Sequence, residues 1–233
     1  MKNRKIWVML VGLFTALTSG FMGTTLTFAE ENEASQTIEQ PSYISDFPNQ
    51  VGHWQDLVGT AEKKNDSAGL WIANTKQGTN LESVSINLDA REQSSGDLEL
   101  TFLYEGQSNF GLVFRGDKQK TSQWQSFAYN RDGRWQLGQP GGKWLTNIPG
   151  PTLLSGQQYK LLVRYDGKKI QTFLNDQLFY ENEEVHYPDG TSINDDWMGA
   201  VGIRLFGNLS KLNIISMKSG PVGSIPVIDS SAE

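Results

Sequence analysis

The sequence from residue 96 to residue 131 constrains the fold more than any other stretch of the chain. It holds three runs in which apolar and polar residues alternate, and short polar segments separate the runs. Alternation with a period of two places successive side chains on opposite faces of a β-strand. In the first run Leu98, Leu100 and Phe102 fall on one face. Three such strands in a row, each with one apolar face, predict the core of a β-sheet protein.

The same pattern continues through the rest of the chain, and no stretch between residues 50 and 219 has sustained helical periodicity. Tyr159 to Tyr165 and Lys168 to Leu174 are alternating runs joined by Asp166-Gly167. Asp-Gly is typical of a two-residue hairpin turn, because the central positions need positive φ. A second turn is predicted at Asn175-Asp176. Short strands separated by turn residues indicate an all-β protein, and two antiparallel sheets packed through their apolar faces satisfy every strand.

The two ends of the chain differ in composition from this central part. Three basic residues precede an apolar run, and small residues end at Ala29. Residues 1–29 are therefore predicted to be a cleaved secretory signal peptide, with an uncleaved membrane anchor as the alternative. Residues 30–49 are polar and acidic and are interpreted as a flexible lead-in. Residues 50–219 are interpreted as one β-sandwich domain, and residues 220–233 as a flexible tail or linker.

Charge and cysteine content restrict the partners and the compartment. The chain has no cysteine and carries 20 basic and 26 acidic residues, for a net charge of −6. Removal of the signal peptide takes away three basic residues and no acidic ones, which leaves −9. A surface of this sign repels phosphate backbones and anionic lipids, so we expect no nucleic acid partner and no membrane partner after signal cleavage. We predict a secreted, extracellular protein, of bacterial type because it lacks disulfides, and its oligomeric state is left open.

One segment carries a resemblance to a known family. Gly111-Leu-Val-Phe-Arg-Gly-Asp117 is similar to the concanavalin A-like lectin and glucanase superfamily, and more narrowly resembles the levan-binding carbohydrate-binding modules of secreted fructan-cleaving glycosidases. The strand at 96–102, the hairpin at 159–176 and the run at 197–206 support the resemblance, because their order and spacing agree with the family pattern. The resemblance implies a jelly-roll sandwich that binds a polysaccharide or oligosaccharide.

The end of this strand and the aromatic residues after it form the predicted binding site. In the levan-binding modules an Arg and an Asp two residues apart contact the sugar, and they match Arg115 and Asp117. In an extended strand both would lie on one face, and their donors and acceptors suit adjacent sugar hydroxyls. A surface ion pair that contributes little is the alternative. Aromatic rings that can stack on a sugar complete the site, with core packing as their alternative role: Trp124, Tyr129 and Trp197.

Catalytic residues are not recognisable in the sequence. The jelly-roll glucanases of the superfamily share a Glu-x-Asp-x-x-Glu strand that this chain lacks, and glycoside hydrolysis needs two converging carboxyl groups. The acidic cluster Glu181, Glu183 and Glu184 is interpreted as a solvated loop. No cofactor is expected, except that a structural Ca²⁺ is left open. Asp189 and the run 194–196 offer oxygen ligands for it, with simple turns as the alternative.

These observations together predict a secreted, non-catalytic carbohydrate-binding protein or module. It would recognise a neutral polysaccharide or its chain end, and the resemblance suggests fructan. Two alternatives stay open, namely a glycoside hydrolase or lyase of the same fold and a protein-binding adhesion domain.

Overall fold

The computed structural model describes residues 43–45, 51–66, 69–74 and 81–228. The predicted signal peptide lies outside the described residues, as does the predicted lead-in apart from residues 43–45. A single turn of 3₁₀-helix at Val51–His53 is the one helical element in the described part, and all other regular elements there are strands. No described helix has the length and hydropathy of a membrane span.

The described residues form fifteen strands along the chain. Their bounds are β1 Tyr43–Ser45, β2 Trp54–Val58, β3 Glu62–Asp66, β4 Gly69–Ala73, β5 Glu82–Asn87, β6 Gly96–Tyr104, β7 Asn109–Gly116, β8 Gln125–Tyr129, β9 Trp135–Gln139, β10 Lys143–Ile148, β11 Gln157–Asp166, β12 Lys169–Leu174, β13 Gln177–Asn182, β14 Ala200–Phe206 and β15 Lys211–Gly220.

The strands form two antiparallel sheets. In sheet A the spatial order is β13-β12-β11-β6-β15-β4-β3, and β1, from the predicted lead-in, also pairs with β15. In sheet B the order is β10-β9-β8-β7-β14-β5-β2. Neighbours in space are often distant in the chain, since β6 lies between β11 and β15 and β14 lies between β5 and β7. This crossing pattern is that of a jelly roll. The predicted all-β, two-sheet antiparallel jelly-roll sandwich is therefore confirmed.

The core lies where the apolar faces of the two sheets meet. Leu100 and Phe102 of β6 are fully buried, as their alternation predicts. Across the sheets Phe102 packs edge-on against Phe110, with ring centroids 4.8 Å apart, and Tyr104 packs against Tyr129 at 5.6 Å. Such aromatic pairs contribute about 0.5–1.5 kcal/mol each beyond the area they bury. Packing of this kind holds together a chain that has no disulfide.

The hairpin between β11 and β12 forms where predicted, but its turn lies one residue later. Asp166 pairs with Lys169, so the central residues are Gly167 and Lys168 rather than Asp-Gly. Gly167 has a φ of 54°, and Lys168 is not in the positive region, which is the pattern of a type II′ turn. The turn at residues 175–176 lies where predicted, and both of its residues have positive φ.

Within the predicted tail, Ile225 and Val227 pack against the outer face of sheet A. Ile225 is 3% exposed and packs on Leu162 and Phe173. Its amide donates a hydrogen bond to Asp97 Oδ2 at 3.1 Å. The composition of the segment suggests a linker because its few apolar residues are spaced among Gly, Ser and Pro and show no strand or helix period.

Candidate functional site

Arg115 points into the sandwich, and not along the face that its sequence position predicts. A β-bulge near the end of β7 sets two residues, Phe114 and Arg115, against one residue of β14. Arg115 itself has a φ of 55°. Bulges re-aim side chains in this way. As a result the guanidinium lies 5.3 Å from the ring centroid of Tyr165, on the inner side of the sheet. The extended strand that would place Arg115 and Asp117 on one face is therefore interrupted at Arg115.

The guanidinium of Arg115 joins four parts of the chain. Nε donates to the carbonyl oxygen of Ser94 at 2.6 Å, and Nη2 donates to that of Gly167 at 2.7 Å. Nη1 donates to Gln125 Oε1 at 2.9 Å and to the carbonyl oxygen of Asn194 at 3.1 Å. Burial lowers the pKa of Arg115, because desolvation disfavours the charged form. The residue is fully buried, so the guanidinium supports the loops and does not present itself to a ligand.

Asp117 lies in the loop after β7 and has partners of its own. Its Oδ1 accepts a hydrogen bond from the amide of Gln119 at 2.8 Å, and its carboxylate pairs with Lys120 at 3.3 Å. The Gln119 amide, helped by Lys120, lowers the pKa of Asp117. This geometry is that of an Asx turn at the surface. The structure therefore does not bring Arg115 and Asp117 together as a sugar clamp.

The three predicted stacking residues differ in accessibility. Tyr129 is 1% exposed, and its hydroxyl accepts a hydrogen bond from the amide of Leu153 at 3.1 Å, so it belongs to the core. Trp124 is also 1% exposed, and its Nε1 donates to the carbonyl oxygen of Thr121 at 3.1 Å. Trp197 lies in the loop between β13 and β14 and is partly exposed. Of the three, Trp197 is the one that retains an accessible ring.

The predicted Ca²⁺ ligands make the hydrogen bonds of ordinary turns. Asp189 Oδ1 accepts from the amide and the hydroxyl of Thr191 at 3.0 and 2.7 Å. Asn194 Oδ1 accepts from the amide of Asp196 at 3.3 Å. Among the described residues, no group of three or more His, Cys, Asp or Glu side chains is placed to hold a metal ion. The turn alternative accounts for these contacts, and a structural Ca²⁺ stays an untested prediction.

A cluster on the outer face of sheet B joins the predicted Trp124 to four residues that were not predicted from the sequence. The Cζ atom of Arg204, on β14, is 4.2 Å from the ring centroids of both Trp144 and Phe206, and 5.5 Å from that of Trp124. Its Nε also forms an ion pair with Glu82. A guanidinium over aromatic rings is a favourable cation–π arrangement. We refer to these five residues as the Trp144–Arg204 cluster.

The cluster lies on a strip of small residues in the middle of sheet B. Gly111 is the cross-strand partner of both Arg204 and Ala128. Gly138 lies so close beneath Trp144 that a Cβ atom at this position would overlap the indole. The absence of bulky side chains lets Arg204 extend across the sheet toward a tryptophan on β10, although β7, β8 and β9 lie between. Glu82, Trp144 and the pair Arg204 and Phe206 come from three different strands, and Trp124 directly precedes a fourth, so only the order of strands in the sheet could have revealed the cluster.

Two further properties mark this face of sheet B. Arg204 is only 7% exposed, and its buried Nη1 atom has no hydrogen-bond partner in the described part of the chain. An unpaired buried donor costs about 1–3 kcal/mol, so an acceptor placed there would be stabilising. Burial lowers the pKa of Arg204, and Glu82 opposes this shift. Beside the cluster runs a groove of about 470 Å³, which is lined by Leu57, Val58, Gly59, Glu82, Thr121, Ser122, Trp124 and Pro140.

Comparison with solved structures identifies the fold. The chain is similar to the carbohydrate-binding module CBM66 from Bacillus subtilis, with a TM-score of 0.50, 16% identity, and coverage of 70% of this chain and 96% of that one. A Bacillus subtilis protein of unknown function with a galectin-like fold has a TM-score of 0.57 and 13% identity, with coverage of 78% of this chain and 96% of that one. A glycosidic hydrolase has a TM-score of 0.53 and 10% identity, with coverage of 79% of this chain and 97% of that one. No family model matches the chain.

The likeness shows the fold. This fold is a galectin-like, two-sheet sandwich, and at these identities the likeness leaves the function to be argued from the site.

Proposed function

We propose that the protein binds a neutral glycan on the outer face of sheet B, in the groove beside the Trp144–Arg204 cluster. The observation that carries the proposal is Arg204, which lies against Trp144 and Phe206 and whose buried Nη1 has two N–H donors without a partner in the described part of the chain. A sugar hydroxyl accepts a hydrogen bond from such a donor, and the C–H face of a sugar ring packs on an indole. Trp144 is partly exposed and can offer that surface.

The lining of the groove favours binding over hydrolysis. Among the described residues that line it, Glu82 is the one acidic side chain, and it pairs with Arg204. Cleavage of a glycosidic bond by the common mechanisms uses two carboxyl groups on opposite sides of the bond. Glu82 is a single carboxylate and already pairs with Arg204. Its role is therefore to orient the Arg204 side chain or a bound ligand.

The charges of the site and of the whole chain favour an uncharged ligand. Glu82 and Arg204 balance each other within the cluster, and the net charge of −6 disfavours acidic polymers. The shared fold with a carbohydrate-binding module supports sugar as the ligand class. Fructan is the first ligand to test because of the resemblance of the 111–117 segment to levan-binding modules. Secretion through the predicted signal peptide would place the protein where such polymers occur.

A glycan array that includes levan and inulin, followed by calorimetry with the tightest oligosaccharide, tests the proposal. Trp144→Ala should weaken binding about tenfold or more, because a stacked ring contributes on the order of 1–3 kcal/mol. The fold should persist, since Trp144 is partly exposed on the edge strand β10. Trp197→Ala, which removes a partly exposed tryptophan that does not line the groove, is the matched control.

Three results would contradict the proposal. The first is that no glycan on the array binds, and the second is that Trp197→Ala weakens binding as much as Trp144→Ala does. The third is release of sugars from a bound polysaccharide by the unmodified protein, which would replace a binding function by a catalytic one.

A further inference from the structure

A second concave surface lies on the other side of the molecule, on sheet A. A cleft of about 430 Å³ opens where β6 turns into β7 and β14 turns into β15. Trp71 of β4 forms part of its wall. This residue is on the outer face of sheet A, because its chain neighbours Leu70 and Ile72 are fully buried in the core. The cleft therefore faces away from the sandwich interior.

Trp71 gives the cleft an aromatic surface. The indole is partly exposed, and the ammonium group of its cross-strand partner Lys64 lies 4.2 Å from the ring centroid. Leu209 also lines the cleft, is 57% exposed, and has a φ of 55°. A bulky apolar residue seldom adopts this backbone conformation or this exposure. The loop thus holds an apolar side chain at the rim of the cleft, where a ligand would cover it.

Polar groups of both kinds surround the indole. Glu105 and Lys211 form an ion pair at the wall of the cleft, so their charges cancel. Gln107 adds an exposed amide. Next to Trp71 on the sheet, Asn213 is 6% exposed, and its Oδ1 has no hydrogen-bond partner in the described part of the chain. One aromatic surface with a few donors and acceptors, and with the two charged lining residues paired to each other, is typical of a site for a small polyhydroxylated ligand.

We propose that this cleft is a second glycan-binding site, so that one molecule engages a polysaccharide at two places. The proposal rests on the proposed function for the class of ligand. The short loop at residues 207–210 connects the two sites, since Phe206 of the Trp144–Arg204 cluster precedes it and Leu209 of the cleft lies within it. Two sites on one rigid domain raise the affinity for a polymer above that for a short oligosaccharide by effective concentration.

NMR of the indole N–H groups tests the second site independently of the first. Trp71→Phe and Trp144→Phe assign the two signals. Titration with fructose, glucose, galactose and mannose, and with the tightest oligosaccharide from the array, should shift both signals, each with its own saturation curve. Calorimetry should then fit two sites per chain for the oligosaccharide. Trp71→Ala should leave one site and weaken polysaccharide binding about tenfold or more.

A second variant guards against a change in fold. Gln107→Ala alters an exposed side chain and should weaken the cleft site alone, by about twofold to tenfold. If Trp144→Ala abolishes all binding while the Trp71 signal never shifts, the second site is refuted and the proposed function stands. If the Trp71 signal shifts and Trp144→Ala changes nothing, the cleft binds sugar and the groove on sheet B does not. If no sugar shifts either signal and the array is negative, both proposals fail.

Discussion

Two buried arginines of sheet B have opposite surroundings. Arg115 lies on the inner side, and its guanidinium donates to three carbonyl oxygens and to a glutamine side chain. Arg204 lies on the outer side, packs on aromatic rings, pairs with Glu82, and keeps Nη1 without a partner in the described part of the chain. Burial alone therefore does not separate a structural arginine from a candidate binding arginine. The two kinds of arginine are separated by the number of guanidinium N–H groups that already have hydrogen-bond partners.

Replacement of each arginine by methionine tests this contrast and should give the largest effect. Arg115→Met should lower the free energy of unfolding by about 3–5 kcal/mol, because several buried acceptors lose their donor at once. Arg204→Met should lower it by about 1–2 kcal/mol. The methionine retains the packing on the rings, and Glu82, whose side chain is 30% exposed, can be hydrated.

Urea denaturation measures the stabilities, and calorimetry measures glycan binding by the folded variants. Arg204→Met should weaken binding although it costs less stability, whereas Arg115→Met should bind normally at temperatures where it is folded. Equal losses of stability in the two variants would show that the two arginines do not differ in this way.

Alkaline titration should lower the free energy of unfolding by an amount between those of the arginine variants and of Asp117→Asn. The tyrosines of the inner side cause this effect. Burial raises the pKa of Tyr104 to about 12, and it also raises those of Tyr129, Tyr165, Tyr180 and Tyr187. The unfolded chain, with an ordinary value of 10.0, loses these protons first. The free energy of unfolding should therefore be unaffected by the tyrosines below pH 10 and should fall as the pH rises from 10 toward 12.

Phenolate absorbance and circular dichroism, followed together, check this prediction. The two signals should change in the same pH range, because the buried phenols ionise as the protein unfolds. Arg204→Met should lower the pH of this transition only by as much as its own loss of stability requires, since the rings that contact Arg204 are those of Trp and Phe residues, which do not titrate. Phenolate absorbance that reaches half its maximum near pH 10 in a folded protein would show that the inner side is more hydrated than its contacts indicate.

The smallest effect is expected for Asp117→Asn. The amide oxygen can accept the Gln119 hydrogen bond in place of the carboxylate, and an exposed ion pair with Lys120 contributes at most about 0.5–1 kcal/mol. Neither stability nor glycan affinity should change measurably in denaturation and calorimetry. A clear loss of affinity would instead favour the assignment of Asp117 by resemblance, and it would weaken the case for the groove beside Arg204.

The fold is predictable from the sequence because its determinants are local and periodic. The alternation in β6 and the turn at residues 175–176 each depend on a few adjacent residues, and both agree with the structure. The predicted turn of the β11–β12 hairpin, Asp166-Gly167, differs from the observed turn, Gly167-Lys168, by one residue. Both pairs fit a two-residue turn, but of different types.

The candidate site was much less predictable, for two physical reasons. The bulge at Arg115 places a non-glycine residue at positive φ, and no residue type announces such a bulge in advance. The Trp144–Arg204 cluster depends on the strand order of sheet B, which brings together residues as far apart in the chain as Arg204 and Glu82, which are separated by 122 positions. Alternation assigns a side chain to a face of its own strand, but it does not say which strands become neighbours.

The glycine beneath Trp144 has a consequence for how a protein of this kind can diversify. Any side chain at Gly138 would overlap the indole, and a Cβ at Gly202 would overlap the backbone of β5. The floor of this face therefore cannot be remodelled by simple substitution without displacing the tryptophan or separating two strands. A change of ligand preference would have to arise at the rim, in the loop that carries Thr121 and Ser122 or in the turn at Gly59. Selection for a different ligand would therefore change the sequence of the loops and leave that of the sheet nearly unchanged.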